Sequence, residues 1–261
     1  MSYNFKLPHL PKRTSKPREA GVTMVMDKGL SLRQAEDFLS MSADFVDFVK
    51  LGFGSSMITN DLKAKIKLYR EHNIKVYLGG TLFEAYVVRN KFDDYVKVLD
   101  SLKLDTVEVS DGSVEMPHEK KLEYISTLAK NFTVFSEVGS KEEGIIIHPN
   151  KWIKLMTAEL EAGSYKVIAE ARESGNVGIF HRNGAAHVVL INKIIAKVPA
   201  DKILWETPQK GQQVYFINLF GANVNVGNIS FDDVIPLETL RIGLRADTFF
   251  TFLPGGVKAE E

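Results

Sequence analysis

Short apolar runs alternate along the chain with longer segments in which apolar residues recur every three or four positions. Such runs are typical of buried strands, whereas the longer period is typical of amphipathic helices. The runs predict eight strands, at residues 22–27, 45–51, 74–78, 106–109, 132–138, 165–169, 203–205 and 224–226. The periodic segments predict helices at 31–40, 61–71, from after Gly80 to about 102 with a break near Asn90, and at 117–130, 150–162, 185–197, 212–220 and 237–245.

The order of strand and helix, repeated eight times, predicts an α/β fold with a parallel sheet. Eight such units in a chain of this length are typical of a (β/α)8 barrel of TIM type, with parallel strands inside and helices around them. An open, doubly wound sheet is the alternative. The barrel is expected as a single domain at residues 20–250, after an extended basic arm at 1–19 and before a tail at 251–261.

Carboxylates stand at the ends of five apolar runs. They are Asp27, Glu108, Glu137, Glu170 and Glu206. In a barrel, functional side chains gather at the carboxyl ends of the strands, so these acids are expected around one mouth. A ring of carboxylates suits a hard cation such as Mg²⁺, which prefers oxygen ligands. Asp27 is the weakest candidate ligand because the adjacent Lys28 can pair with it.

Two segments after early strands suit an anionic ligand. Lys50 ends the second run and leads into a Gly-Ser loop that contains Ser55. A similar element, made of Gly79, Gly80 and Thr81, follows the third run. The N–H groups of such loops can bind phosphate or sulfonate, although both segments can equally be ordinary tight loops.

Polar residues after the later strands extend this set. Arg172 lies in a dense charged stretch after the sixth strand, and a guanidinium can hold a phosphate or carboxylate through two N–H groups. Lys210 follows the seventh strand, and Asn225 belongs to the end of the eighth. The corresponding loops of TIM barrels frequently bind phosphate, so both residues are expected to bind substrate.

Composition narrows the possible partners. The 261 residues include 33 basic and 33 acidic side chains, so net charge favours neither a nucleic acid nor an anionic membrane as a partner. The absence of cysteine excludes a disulfide framework and a cysteine nucleophile. No apolar run is long enough to span a bilayer and no signal peptide is visible, so a cytoplasmic location is expected.

Several motifs, in order from about residue 20 to 250, resemble the phosphosulfolactate synthase family. They include Asp-Lys-Gly at 27–29, Val-Lys-Leu-Gly-Phe-Gly-Ser-Ser at 49–56, Gly-Gly-Thr-Leu-Phe-Glu at 79–84, Glu-Val-Ser-Asp-Gly at 108–112, Glu-Val-Gly at 137–139, Glu-Ala-Arg-Glu-Ser-Gly at 170–175, Pro-Gln-Lys at 208–210 and Asn-Val-Asn at 223–225. No single motif is specific, but their common order is.

The resemblance implies a TIM-barrel-like enzyme that adds sulfite to phosphoenolpyruvate with Mg²⁺, giving (2R)-phospho-3-sulfolactate. It implies that Lys141, in the loop after the fifth strand, is the acid that protonates the substrate. The phosphate, carboxylate and sulfite groups would be held by Lys50, Arg172 and Lys210. Because cations lie in the same loops, the first candidates for the metal ligands are Glu137, Glu170 and Glu206, with Glu108 as a ligand or a neighbour of one.

The resemblance leaves two alternatives open. One is a related barrel enzyme that uses another enolate or another nucleophile. The other is a non-catalytic, heat-stress-associated relative. The resemblance and the basic arm together favour a homo-oligomer, whose small anionic substrates would be phosphoenolpyruvate and sulfite.

Overall fold

The computed structural model describes residues 3–139 and 148–256. Its centre is made of parallel strands, which are β1 Thr23–Asp27, β2 Phe48–Leu51, β3 Lys75–Leu78, β4 Thr106–Val109, β5 Thr133–Val138, β6 Lys166–Ala169, β7 Ile203–Glu206 and β8 Val226–Ile229. The first strand pairs with the last, and the order around the sheet is β3-β2-β1-β8-β7-β6-β5-β4. The predicted (β/α)8 barrel is therefore confirmed, and the open doubly wound sheet is wrong.

Helices surround the barrel. They are α1 Leu32–Ser42, α2 Leu62–Glu71, α3 Gly80–Val87, α4 Phe92–Ser101, α5 His118–Leu128, α6 Pro149–Glu161, α7 Val188–Ile195, α8 Lys210–Phe220 and α9 Val234–Arg241. Ser31 caps α1, because its hydroxyl accepts from the Gln34 N–H while the Gln34 side chain accepts from the Ser31 N–H. Within the two described ranges, none of the helices is long and apolar enough to cross a membrane.

Side chains close the barrel between β3 and β4. These strands are neighbours, but within the described residues no ladder of backbone hydrogen bonds joins them. Glu84 of α3 spans the gap by accepting a hydrogen bond of 2.6 Å from the Ser113 N–H and another from the Ser110 hydroxyl. Glu108 of β4 spans it in the other direction, through a hydrogen bond of 2.7 Å from the Gly80 N–H. The first residues of α3 are thereby held at the barrel mouth.

The eighth strand begins later than its apolar pattern predicts. Val224 is buried, yet β8 runs from Val226 to Ile229 and includes the polar Asn228. Its register against β1 shifts between Thr23 and Val25, which is a bulge, and the φ of Asn228 is 54°. A bulge redirects a side chain and interrupts the alternation on which a sequence pattern depends. The prediction of 224–226 was wrong for this reason.

The basic arm packs against the amino-terminal end of the barrel from residue 13 onward. Arg13 Nε lies 2.8 Å from Glu238 Oε1, and Arg18 Nε lies 2.9 Å from Asp47 Oδ1, just before β2. Both pairs are buried. Arg13 and Arg18 are therefore paired with carboxylates at the amino-terminal end of the barrel, away from the strand ends that carry Glu137 and the other acids.

Candidate active site

The alternation of side chains along each β-strand places the site directly above the inner core of the barrel. That core is a small apolar cluster of Val22, Met24, Phe48, Tyr77, Phe135, Ile168 and Leu204. Side chains two positions apart in a strand point to the same face. The next inward layer towards the carboxyl ends therefore consists of Lys50 after Phe48, Glu137 after Phe135, Glu170 after Ile168 and Glu206 after Leu204.

Lys50 lies among three of the acids. Its Nζ is 3.0 Å from Glu108 Oε2, 3.6 Å from Glu137 Oε2 and 3.7 Å from Glu206 Oε1. Burial alone would lower the pKa of Lys50, but the three carboxylates outweigh it and hold that pKa well above its ordinary value. Lys50 is therefore a charged ammonium group inside the barrel.

Among the described residues, the carboxylates around Lys50 outnumber the ammonium groups that contact them. Burial raises the pKa of Glu206 to about 7, despite the favourable charge of Lys50, and repulsion from Glu137 adds to the shift. Burial likewise raises the pKa of Glu108. Within residues 3–139 and 148–256, Lys50 is the ammonium group that contacts Glu108, Glu137 and Glu206, and Glu170 is buried in the same cavity. Buried carboxyl groups this close to one another favour a cation between them.

Three of these carboxylates could hold a metal ion. Glu137, Glu170 and Glu206 each offer one oxygen, and the three oxygens lie within 4.8 Å of one another. All three side chains are buried. An all-oxygen set of carboxylates suits a hard divalent cation in preference to a soft one. The residues present therefore fit such a cation.

A cavity of about 410 Å³ opens above this cluster. Its lining consists of Met26, Lys50, Phe53, Gly79, Gly80, Thr81, Glu108, Ser113, Glu137, Glu170, Arg172, Glu173, Ser174, Glu206 and Asn228. The structure thus brings together nine residues that the sequence singled out, namely Lys50, Gly79, Gly80, Thr81, Glu108, Glu137, Glu170, Arg172 and Glu206. Carboxylates form its floor, and Arg172 lies at its exposed rim.

Three predicted substrate-binding residues do not line this cavity. Asn225 precedes β8, where its Oδ1 accepts from the Val22 N–H and its Nδ2 donates to backbone carbonyls, so it braces the barrel floor. Lys210 begins α8 and its Nζ lies 2.7 Å from Asp247 Oδ2. Ser55 begins a short 3-10 turn after β2, and its N–H donates to the Gly52 carbonyl.

The remaining candidates are Lys141 and Asp27. Lys141 lies outside the described residues, so its role stays a prediction. Asp27 has a structural role. Its carboxylate accepts hydrogen bonds from the Gly29 and Leu30 N–H groups and from the Tyr69 hydroxyl, and Lys65 Nζ lies 2.8 Å from it. The expected pairing of Asp27 with Lys28 is wrong, since Lys28 pairs with Glu173 instead.

Asn228 is the cavity residue that the strand prediction missed. It is 6 % exposed, and its Oδ1 is buried with no hydrogen-bond partner among the described residues. The bulge in β8 gives it a left-handed backbone conformation, which is costly for a side chain of this size unless the surroundings impose it. The visible sign in the sequence was a polar Gly-Asn pair directly after an apolar run.

Gly80 is required because its α-carbon lies against site residues. A β-carbon built there would lie 2.2 Å from Ser110 Oγ and 2.9 Å from Glu108 Oε1. We expect Gly80→Ala to displace Glu108 and to lower the free energy of unfolding by about 1–3 kcal/mol, the usual cost of overpacking. Gly211→Ala in α8 is the matched control, since nothing lies within 4 Å of its added carbon. Urea unfolding of both variants checks this, and equal stabilities would contradict it.

An eight-stranded parallel barrel with clustered carboxylates at its strand ends is typical of TIM-barrel enzymes, whose active sites lie at that end of the barrel. The sequence model described as (2R)-phospho-3-sulfolactate synthase (ComA) matches residues 11–247. The phosphosulfolactate synthase of Bacillus subtilis (strain 168) is 40% identical over 244 residues, covering 92% of this chain and 97% of that protein. The chain belongs to the (2R)-phospho-3-sulfolactate synthase family.

A second relative agrees with this membership, and a solved structure shares the fold. The phosphosulfolactate synthase of Methanothermobacter thermautotrophicus is 41% identical over 244 residues, covering 91% of this chain and 95% of that protein. Among solved structures, 3-hexulose-6-phosphate synthase from Salmonella typhimurium matches with a TM-score of 0.56 and 14% identity, over 86% of this chain and 100% of that one. At this identity the structural match shows the barrel fold alone.

Proposed function

We propose that this protein is a (2R)-phospho-3-sulfolactate synthase, which adds sulfite to phosphoenolpyruvate with the aid of Mg²⁺. The observation that carries the proposal is the cavity in which Glu137, Glu170 and Glu206 cluster on the floor. The names of the similar proteins from Bacillus and Methanothermobacter support it. The two substrates together carry phosphate, carboxylate and sulfite groups, so they need positive charge close to one another.

The walls of the cavity suit these anionic groups. α3 begins at Gly80, and although the Gly80 N–H donates to Glu108, the positive end of the helix dipole still favours an anion near its first turn. Thr81 also lines the cavity at that turn. Arg172 lies at the rim and has no hydrogen bond or ion pair within the described parts of the chain, so its guanidinium is available to an anion.

Lys50 has a different part in this proposal from the anion binding that the resemblance implied. Its ammonium is buried against Glu108, Glu137 and Glu206, and leaving them for a substrate anion would strand their charges. We therefore assign it to holding the carboxylates in place. Lys210 is paired with Asp247 outside the cavity lining, so we assign it no contact with the substrate.

The reaction forms a bond between the sulfur of sulfite and the methylene carbon of phosphoenolpyruvate. The double-bond electrons move towards the carboxylate, and a proton is then added to the carbon that carries the phosphate. Glu137, Glu170 and Glu206 would hold the Mg²⁺, which when bound would stabilise the negative charge that develops on the substrate carboxylate. Lys141 is the proposed donor of the proton.

A direct assay tests the proposal. We expect a sulfonated, phosphorylated product when the protein is incubated with phosphoenolpyruvate, sulfite and Mg²⁺, as measured by mass spectrometry. Omission of sulfite, or addition of EDTA, should abolish the product, and excess Mg²⁺ should restore it. The proposal is wrong if a folded protein forms no such product under these conditions.

The assay also separates the alternatives when the melting temperature is measured with phosphoenolpyruvate alone. A stabilised protein without product would favour a related barrel enzyme that uses another nucleophile. A protein with neither response would favour a non-catalytic relative. The homo-oligomer and the cytoplasmic location stay predictions.

A further inference from the structure

The four buried carboxylates form two overlapping groups of three. Lys50 Nζ lies within 3.0–3.7 Å of Glu108, Glu137 and Glu206. The group that could hold a metal ion consists of Glu137, Glu170 and Glu206. Glu137 and Glu206 belong to both groups, whereas Glu108 belongs only to the first and Glu170 only to the second. The geometry is that of two adjoining cation positions with shared carboxylates.

We propose that the Lys50 ammonium fills one of these two positions permanently, so that the protein binds one divalent cation per chain instead of two. The inference rests on the metal assignment made under the proposed function and goes further by setting the number of metal ions. Enzymes with two metal ions place them about 3.5–4 Å apart between shared ligands, and shared carboxylates of this kind are present here. Lys50 is a residue of β2, so its ammonium group cannot dissociate and a metal ion from solution cannot replace it.

Asn228 supports a cation beyond Lys50 in this cavity. Its Oδ1 is buried and has no hydrogen-bond partner among the described residues, although the side chain lines the same cavity. A buried oxygen of this kind is usually satisfied by a donor, a water molecule or a cation. β8 pairs with β7 so that Gly227 lies beside Glu206, and the side chains of Glu206 and Asn228 both line the cavity.

The two carboxylates that are not shared give a matched pair of isosteric variants. Metal-free protein is titrated with Mn²⁺ in the absence of substrate, and bound metal is counted by electron paramagnetic resonance and calorimetry. We expect one Mn²⁺ per wild-type chain. Glu170→Gln should weaken binding by about 100-fold or more, since loss of even an indirect metal contact costs about 10–100-fold. Glu108→Gln should weaken binding by a clearly smaller factor than Glu170→Gln, because Glu108 contacts Lys50 and the Gly80 N–H and is not one of the three carboxylates that could hold the metal ion.

Lys50→Met opens the second position. We expect this variant to bind two Mn²⁺ per chain, with the altered resonance spectrum of two coupled ions, and Lys50→Arg to bind one. Two ions in the wild type, or one in a folded Lys50→Met, would overturn the proposal. If Lys50→Met does not fold, equal losses in Glu108→Gln and Glu170→Gln would overturn it. One bound Mn²⁺ without any product would contradict the proposed function alone.

Discussion

Lys50→Met is expected to lower the free energy of unfolding of the metal-free protein by about 3–5 kcal/mol, the usual cost of removing one partner from a buried ion pair. The reason is the environment of Glu108, Glu137 and Glu206, which face the Lys50 ammonium inside the barrel. Methionine has a similar shape but no charge, so it would leave these carboxyl groups without compensation. Urea unfolding in the presence of EDTA measures the difference.

A surface lysine provides the control for this prediction. Lys67 is 76 % exposed and pairs with Glu71 on the outside of α2. Exposed pairs of this kind contribute little to stability, so Lys67→Met should change the free energy of unfolding by less than about 1 kcal/mol. If Lys50→Met proves as stable as Lys67→Met, the lysine does not balance the charge of the carboxylate cluster.

Lys141→Ala should reduce turnover by about 10²–10⁴-fold, the usual contribution of a general acid. The family resemblance implies this lysine as the proton donor, and it follows Glu137 by four positions in the chain. β5 brings Glu137 to the cavity floor and ends at Val138. Gly139 then lies against Glu170, where an added β-carbon would be 2.4 Å from Glu170 Cβ.

Binding must be measured beside turnover to establish the role of Lys141. Phosphoenolpyruvate should raise the melting temperature of Lys141→Ala nearly as much as that of the wild type, because an acid that acts after sulfite addition contributes little to substrate binding. Lys151→Ala, at an exposed position in α6, is the control and should retain full turnover. Unchanged turnover in Lys141→Ala would remove the residue from this role.

Much of the fold could be predicted because its determinants are local. The apolar runs identify β4 to the residue, and Ser31 marks the start of α1 through a capping box that needs only neighbouring residues. The bounds of β8 could not be predicted correctly. The bulge at Asn228 depends on how β8 pairs with β1, which lies about two hundred residues earlier in the chain.

The same contrast holds for the candidate site. A carboxylate at a strand end could be recognised in the sequence, but its partner could not. Asp27 and Glu108 have similar local patterns, yet Asp27 accepts from Lys65 and Tyr69 behind β1, whereas Glu108 faces Lys50 inside the barrel. The difference arises from helix packing and from strand register, which bring together residues far apart in sequence.

By itself the sequence determined the class of fold, the family and the types of residue at the strand ends, because strand period and turn chemistry act over a few residues. Only the tertiary structure showed that Lys50 forms ion pairs with the buried carboxylates. It also showed that Asn228, and not Asn225, lines the cavity. Electrostatic partners and cavity walls depend on distances between strands, and closure of the barrel sets those distances.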